Sequence, residues 1–504
     1  MMSGLHFVPF IVLALGAILC LYKPLGRDLA VPVFFLPWGA LTPDVGVNLP
    51  ISKVLFLFLA LKYSLHGRFG LNQIPHTKII ALFTFIGIVS GFFTLAIADL
   101  GIEFAGGDLR NGGLRVAIST ITFLLSLLPF ALLFARGVQH DITALLRTYV
   151  ISVAILCVIG IVQYAVFRVL GTDILPIGLL SVGDEAQRSG MLSFRGELDL
   201  RPSSLAGEPK VLALFAASAG IILVAFGQKI FATQRVRLCV FALALCIVYL
   251  TQSTSALIAL PIGLGVYLVL KTLGRPLSSG AVLAVYLGAF SCMLVIYLSN
   301  VTSSPANSPF MVTDMPSISV EETNSVRDLF YQRTLGRIEV EDMDWVIIKS
   351  FLADPSSMIL GRGFGLGHLT VDRYIPDALR HYMEGRVIAP KSGVTYFLVN
   401  GGIVMMVLMA IYLAKLTPVP LRIAPGLDSR RDIFVRAAQL AMVPLILMMI
   451  LRVYLFDVTM FVCAACLAGA RIVGMARGIG PRLPDRNAMF RPAGQAHPIP
   501  KSDW

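Results

Sequence analysis

Long apolar blocks separated by short polar connections occupy most of the chain. A membrane-spanning helix needs about 20 predominantly apolar residues. Blocks that approach or reach this length predict spans at residues 7–22, 29–43, 51–66, 79–98, 116–135, 149–170, 206–226, 236–250, 254–270, 281–299, 393–414, 434–452 and 455–474. These are thirteen blocks, of which the second, third and eighth are short. If one of the first three is re-entrant, so that it enters and leaves the membrane on the same side, twelve spans remain. The pattern predicts an all-α polytopic membrane protein.

Composition supports this class. Of the 504 residues, 57% are hydrophobic and only 14% are charged, whereas a soluble chain carries about 25% charged residues. The first block has no basic segment before it and no small-residue cleavage site after it, so we expect no cleavable signal peptide. All seven cysteines lie in apolar blocks. The Cys463-Ala-Ala-Cys466 pair has the spacing of a redox or metal motif, but its apolar surroundings predict buried small hydrophobic side chains instead.

The net charge of +12 is spread over short connections, so it does not indicate a nucleic-acid surface. Alternate connections carry most of the lysines and arginines, and short basic connections face the cytoplasm. This rule predicts a cytoplasmic tail at 476–504, and the Pro-rich end of that tail predicts that it is disordered. The rule also predicts long connections on the opposite side at 99–115, 171–205 and 300–392. Residues 1–144 and 145–299 are predicted to form the first two groups of spans, and the second group contains the first functional outer loop at 171–205. A large outer loop follows at 300–392, and the last spans lie at 393–475.

The stretch "ILGRGFGLGHL" at 359–369 has the glycine content of a phosphate-binding loop. The strand–loop–helix context of a nucleotide site is missing, and the predicted orientation places the stretch outside the cytoplasm. We therefore interpret the glycines as a structural turn that lets the loop backbone pack closely on the membrane helices.

Arginines in the predicted outer loops indicate an anionic ligand, because the planar guanidinium binds phosphate through two parallel hydrogen bonds. Positive-inside selection disfavours arginine on this side, although long loops escape that rule. The candidates for phosphate contact are Arg201, Arg333, Arg337 and Arg362, with His368 and Lys391 as further candidates for substrate binding. For any one of the outer arginines, a salt bridge to a neighbouring carboxylate is the simpler interpretation.

The stretch "RPSSLAGEPKVLALF" at 201–215 contains the sharpest candidate site. Pro209 suits the first turn of a helix, and the free N–H groups at a helix N-terminus attract anions. Glu208 is then either a carboxylate at the helix start or a general base, and Lys210 is a candidate for substrate binding. The acidic pair Asp342-Met343-Asp344 has a metal-like spacing, but we expect it on a solvated helix face with salt bridges, so no metal site is predicted.

Four features, in order, resemble the superfamily of O-antigen ligases and Wzy-type O-antigen or exopolysaccharide polymerases. They are the outer-loop arginine and helix start at 201–209, the Thr-x-Ser turn in "TQSTSALIALPIGL" at 251–264, the Arg337, Trp345 and Gly361–Gly365 series, and "VNGGIVMMVLM" at 399–409. The similarity covers about residues 145–475. Two positions depart from it: Ser253-Thr254 replaces a Ser-Arg pair, and the segment before the last long span has Lys391-Ser392 where ligases carry a histidine.

The resemblance implies a GT-C-like glycosyltransferase of the bacterial inner membrane, with an active site that faces the periplasm and needs neither metal nor cofactor. Its donor would be an undecaprenyl-pyrophosphate-linked oligosaccharide, with Arg201, Glu208 and Arg337 as catalytic residues. Membrane lipids, a flippase and a chain-length regulator are the implied partners, and no nucleic acid is. The missing histidine favours a polymerase over a ligase that transfers glycan to lipid A core. A transporter of polysaccharide or lipid is the alternative from another functional class.

Overall fold

The computed structural model describes most of the apolar blocks as helices. The described residues are 7–43, 49–98, 112–175, 191–194, 197–303, 344–353, 355–366, 390–419 and 429–475. The predicted site residues Arg333, Arg337 and His368 lie outside these ranges, as does most of the large loop.

The helices follow one another with short connections. The first half contains α1 (Val8–Tyr22), α2 (Ala30–Phe34), α3 (Ile51–Leu65), α4 (Thr77–Ala98), α5 (Gly112–Leu125), α6 (Leu128–Leu133), α7 (Ile142–Leu170) and α8 (Pro209–Ile230). The second half contains α9 (Gln234–Leu250), α10 (Thr254–Thr272), α11 (Ser279–Ser303), α12 (Asp344–Ala353), α13 (Pro355–Leu360), α14 (Gly393–Leu416), α15 (Ser429–Leu451) and α16 (Phe456–Met475). A short antiparallel hairpin pairs β1 (Met191–Phe194) with β2 (Glu197–Leu200).

Among the described residues, nine helical segments are long and apolar enough to cross a membrane. An all-α polytopic membrane protein is thereby confirmed, while the number of spans stays a prediction. The predicted span at 29–43 contains only the five-residue α2 followed by turns. The predicted span at 116–135 is divided into α5 and α6 by a break at Ser126–Leu127.

Burial separates central helices from peripheral ones. The apolar windows of α8 and α16 are each 78% buried, whereas that of α11 is 17% buried. Cys463 and Cys466 lie at the centre of α16 and are fully buried, which confirms their interpretation as small hydrophobic side chains. The exposed sides of α9, α10 and α11 are apolar, as expected of helices that face lipid.

Contacts between helix ends define two faces of the bundle. On the first face, the Ala40 N–H donates to Leu205 O at 3.0 Å and the Val453 N–H donates to Lys391 O at 2.9 Å. On the second face, Arg147 Nε donates to Ile230 O at 2.6 Å. The second face carries the described basic connection residues Lys23, Arg27, Arg68, Arg136, Arg235 and Arg275. The fold therefore groups the basic connections as the positive-inside pattern requires.

Part of the predicted outer loop returns into the bundle. In α12 the side chains of Ile347, Ile348 and Phe351 are each 1% exposed, and α13 packs along α14. The Phe364 N–H donates to Gly87 O at 3.3 Å, close to the middle of α4. Residues 344–353 and 355–366 thus form a re-entrant segment. The sequence predicted them as part of the extracytoplasmic loop at 300–392, and burial of their apolar side chains between helices brings this part of the loop into the bundle.

Glycines make this insertion possible. Gly363 has φ +94°, and a Cβ there would overlap the backbone of Gly91 in α4. Gly402 has φ +67° and interrupts the helical conformation of α14; a Cβ there would overlap Ile359 O. The prediction that the glycine run permits close backbone packing on the membrane helices is confirmed.

Candidate functional site

Four polar connections meet on the first face. Arg201 Nε donates to Thr251 O at 2.7 Å, which joins the connection before α8 to the turn between α9 and α10. Lys210 at the start of α8 lies against Tyr454, and the Val453 N–H is bonded to Lys391 O. We call the described residues 201–210, 251–253, 390–392 and 452–457 the mouth.

The local sequence explains how α8 begins there. Glu208 is the N-cap, with extended backbone angles of φ −133° and ψ 144°, and Pro209 occupies the first helical position. The Glu208 side chain makes no capping hydrogen bond. Instead, Glu208 Oε2 lies 2.7 Å from Lys210 Nζ. The expectation of an ordinary helix-start carboxylate is thus only partly met, because the negative charge sits at the helix start but is paired with a cation.

Burial distinguishes Glu208 from a surface carboxylate. The residue is 6% exposed, and the ammonium of Lys210 lies 4.9 Å from the centre of the Tyr454 ring. A nearby cation favours the ionised form of a carboxylate, whereas burial disfavours it. The pair thus places a buried carboxylate next to a cation at the start of α8.

Lys391 is positioned by a buried aspartate. Asp344 is fully buried and accepts hydrogen bonds from the backbone N–H groups of Lys391 at 2.9 Å and Ser392 at 2.8 Å. Ser392 then caps α14, since its Oγ accepts from the Thr395 N–H at 3.1 Å. The expectation that Asp344 lies on a solvated helix face is wrong, because the carboxylate satisfies backbone donors at a buried helix start. Asp342 lies outside the described residues.

A further ion pair near the mouth was missed by the sequence analysis. Lys53 Nζ in α3 lies 3.2 Å from Asp457 Oδ2 in α16, and the Lys53 side chain is 10% exposed. Both residues stand inside apolar blocks, where ionisable side chains are costly and usually functional. An ionisable residue inside an apolar block was the available signal in the sequence. It did not single out this pair, because each residue lies within one turn of a predicted span boundary.

The mouth also has unusual backbone conformations. Among the described non-glycine residues, left-handed φ values occur at His76, Ser204 and Gln252, and the last two belong to the mouth, with φ +51° and +47°. The side chain of Gln163 fixes the first of them, since its Oε1 accepts from the Ser204 N–H at 2.9 Å. Backbone strain of this kind is held in place by surrounding structure and is found preferentially at functional sites.

Arg362 lies elsewhere. It is 6% exposed, and its Nη2 donates to Ser350 O at 3.2 Å while its guanidinium stacks 4.8 Å from the centre of the Phe351 ring. These partners belong to α12 of the re-entrant segment. A role of Arg362 in substrate binding therefore stays a prediction. The structure packs this side chain inside the segment, where the aromatic ring and a carbonyl oxygen stabilise the cation.

Cations outnumber carboxylates around the mouth. The cations are Lys53, Arg201, Lys210, Lys391 and Arg452, and the carboxylates are Glu208, Asp344 and Asp457. In the part of the chain that the structure describes, no group of three or more His, Cys, Asp or Glu side chains is arranged to hold a metal ion. The arrangement can bind an anion and offers one buried carboxylate as a proton acceptor.

No protein-family model matches the chain, and no curated protein or solved structure was found to be similar.

Proposed function

We propose that the protein is a glycosyltransferase that extends bacterial surface polysaccharide. Its donor is a glycan on undecaprenyl pyrophosphate, and its acceptor is another lipid-linked repeat unit. The observation that carries this proposal is the pair of the buried Glu208 and the partly exposed Lys210, 2.7 Å apart, at the mouth to which Arg201 also belongs. A buried carboxylate next to fixed cations suits a reaction that removes a proton and releases an anion.

The chemistry assigns a role to each group. Glu208 accepts the proton of the acceptor hydroxyl, whose oxygen forms a bond to the anomeric carbon of the donor. The bond between that carbon and the pyrophosphate oxygen breaks, and the electron pair leaves with the pyrophosphate. Arg201 and Lys391 stabilise the developing negative charge, as preorganised cations do in other transfer reactions. Lys210 holds the carboxylate of Glu208 in place through the ion pair.

A polymerase is preferred to a ligase because Lys391-Ser392 occupies the position where the ligases of the superfamily carry a histidine. Arg333, Arg337 and His368 lie outside the described residues, and their part in the site stays a prediction. The distribution of basic residues supports a cytoplasmic second face, so the mouth would open to the periplasm. A flippase that supplies the donor and a chain-length regulator are the proposed partners.

The product on the cell surface tests this proposal. We expect a strain that lacks the gene to display single repeat units. Loss of a ligase would instead leave polymer on its lipid carrier and none on lipid A core. The Glu208→Gln variant, at an unchanged protein level, should give the same product as loss of the gene. Single repeat units identify a polymerase, and polymer that stays on its lipid carrier identifies a ligase.

Transport is the second candidate, and one observation favours it. The re-entrant segment and the interruption of α14 at Gly402 resemble the discontinuous helices that line transporter sites, and Arg362 lies buried next to them. Loss of a transporter would leave lipid-linked glycan on the cytoplasmic leaflet. Loss of a polymerase would leave single lipid-linked units on the periplasmic leaflet, so leaflet-specific labelling of the glycan separates the two functions.

A further inference from the structure

A groove opens on the second face between α1 and α3. Its volume is about 460 Å³. The walls are apolar side chains that include Leu21, Phe58 and Leu61, while Lys23 and His66 lie at the rim. The residues named here define the α1–α3 groove. It is far from the mouth, because α1 and α3 both end on the second face.

The charged groups at the floor of the groove are paired with one another. Lys62 Nζ donates to Asp28 Oδ2 at 2.8 Å, to Cys20 O at 2.7 Å and to Lys23 O at 2.9 Å. These three acceptors use all three N–H groups of the ammonium. Asp28 is fully buried and is neutralised by Lys62. The remaining charge of the groove therefore comes from its rim.

The rim offers donors to an anion. The side chain of Lys23 is exposed. His66 Nδ1 lies 2.8 Å from Lys62 O, and a carbonyl oxygen only accepts, so this nitrogen carries the proton and the ring is held in place. Tyr22, 86% exposed, adds an amphipathic ring of the type found where a membrane meets water.

The apolar walls of the groove face away from the interior of the bundle. Leu21 is 59% exposed and Leu61 is 58% exposed, on the helices α1 and α3, which pack side by side. A ligand that fills the groove must therefore present hydrocarbon to these leucines and negative charge to Lys23. A soluble anion has the second property only, and an uncharged lipid has the first only.

We propose that the α1–α3 groove is a binding site for an anionic phospholipid, with its phosphate at Lys23 and His66 and an acyl chain along Leu21 and Leu61. Basic residues beside transmembrane helices attract anionic headgroups with about 1 kcal/mol for each cation. The chain's own C-terminal tail does not suit the groove, because Arg477, Arg482, Arg486, Arg491 and Lys501 give it the same sign of charge.

The test is native mass spectrometry of the full-length protein, titrated with phosphatidylglycerol and, separately, with phosphatidylcholine. We expect tighter retention of phosphatidylglycerol, and about five-fold weaker retention in Lys23→Ala. Leu61→Trp should reduce retention at least as much, because the indole occupies the groove. The matched controls are Lys78→Ala, an exposed lysine of α4 on the same face, and Leu57→Trp, which is 49% exposed on α3 outside the groove.

Three results would overturn the proposal. The first is equal retention of the two lipids, and the second is unchanged retention in Lys23→Ala and Leu61→Trp with both proteins folded. The third is displacement of phosphatidylglycerol by millimolar inorganic phosphate, which would make the rim a site for soluble anions. Melting temperatures of the detergent-solubilised variants verify that each protein is folded before it is titrated.

Discussion

Arg201 and Thr251 join the two connections that the sequence analysis singled out separately. Arg201 Nε donates to Thr251 O at 2.7 Å, so the arginine before α8 is fixed against the turn that precedes α10. The side chain is thereby held in one orientation at the mouth, and a preorganised cation stabilises developing charge better than a mobile one.

Replacement of Arg201 tests its proposed contact with pyrophosphate. We expect Arg201→Ala to lower the transfer rate about 30- to 1000-fold, equivalent to roughly 2–4 kcal/mol of transition-state stabilisation. Arg201→Lys should recover only part of the rate, because the ammonium keeps the charge and loses the planar fork. Glycan chain length in cells at matched protein level provides the measurement.

The control for this replacement is Arg275→Ala, an exposed arginine on the second face. It should leave chain length unchanged. Full-length polymer from Arg201→Ala would show that Arg201 supports the turn at Thr251 and has no part in the reaction.

The Glu208–Lys210 pair predicts a difference between single and double replacements. Lys210→Met leaves a buried carboxylate without its cation, which should lower the free energy of unfolding by about 2–3 kcal/mol. That estimate is reduced for the 25% exposure of the lysine side chain. Glu208→Gln combined with Lys210→Met should recover much of the stability and none of the activity. Thermal unfolding in detergent measures the first effect, and equal stability of the single and double variants would contradict the pairing.

Gly363 tests how tightly the re-entrant segment is packed. Gly363→Ala introduces a Cβ that overlaps the backbone of Gly91 at a positive φ, so we expect a loss of at least about 2 kcal/mol in stability. Gly113→Ala is the matched control. It lies in α5 with nothing within 4 Å of an added Cβ, and alanine there should be neutral or slightly stabilising.

The same experiment addresses the nucleotide interpretation of the glycine stretch. Residues 361–366 lie against α4 and α14, so added nucleotide should not raise the melting temperature. A nucleotide-dependent increase that Gly363→Ala abolishes would contradict the structural role given to these glycines.

The buried His140 on the second face should make the stability of the protein depend on pH. Burial lowers the pKa of His140, whose ring nitrogens lie 3.3 Å from Gly26 O and 3.0 Å from Leu132 O. The unfolded chain therefore binds a proton at a higher pH than the folded protein does. Stability should fall as pH drops through about 6.5 and below. His140→Gln should lessen this decrease, as thermal unfolding between pH 5 and pH 8 will measure; an unchanged slope would assign the pH dependence to other groups.

The sequence predicted the membrane class, most helix positions and the Arg201–Lys210 part of the mouth. These features depend on local signals: the length of apolar blocks, and a proline and a carboxylate at a helix start. The burial of Asp344 was not predictable in this way, because its partners, the N–H groups of Lys391 and Ser392, are distant in sequence. The return of residues 355–366 into the bundle was not predictable for the same reason. It depends on close contacts with Gly91 and Gly402, and the sequence around these glycines does not indicate which segment packs against them.

The contacts of Arg362 were also not predictable from the sequence. Its position between glycines suggested a phosphate contact, yet its guanidinium is taken up by Ser350 O and the Phe351 ring. Residue type alone could not distinguish a ligand-binding arginine from one that stabilises a buried segment, since both use the same donors.

Turnover by the purified protein is the most direct test of the proposed activity. The wild-type protein, reconstituted in liposomes with a polyprenyl-pyrophosphate-linked repeat unit, should release polyprenyl pyrophosphate in step with growth of the glycan. Glu208→Gln, folded to the same extent, should do so at least about 100-fold more slowly. Movement of the intact lipid-linked glycan across the bilayer without a new glycosidic bond, or a Glu208→Gln protein as active as the wild type, would contradict the account.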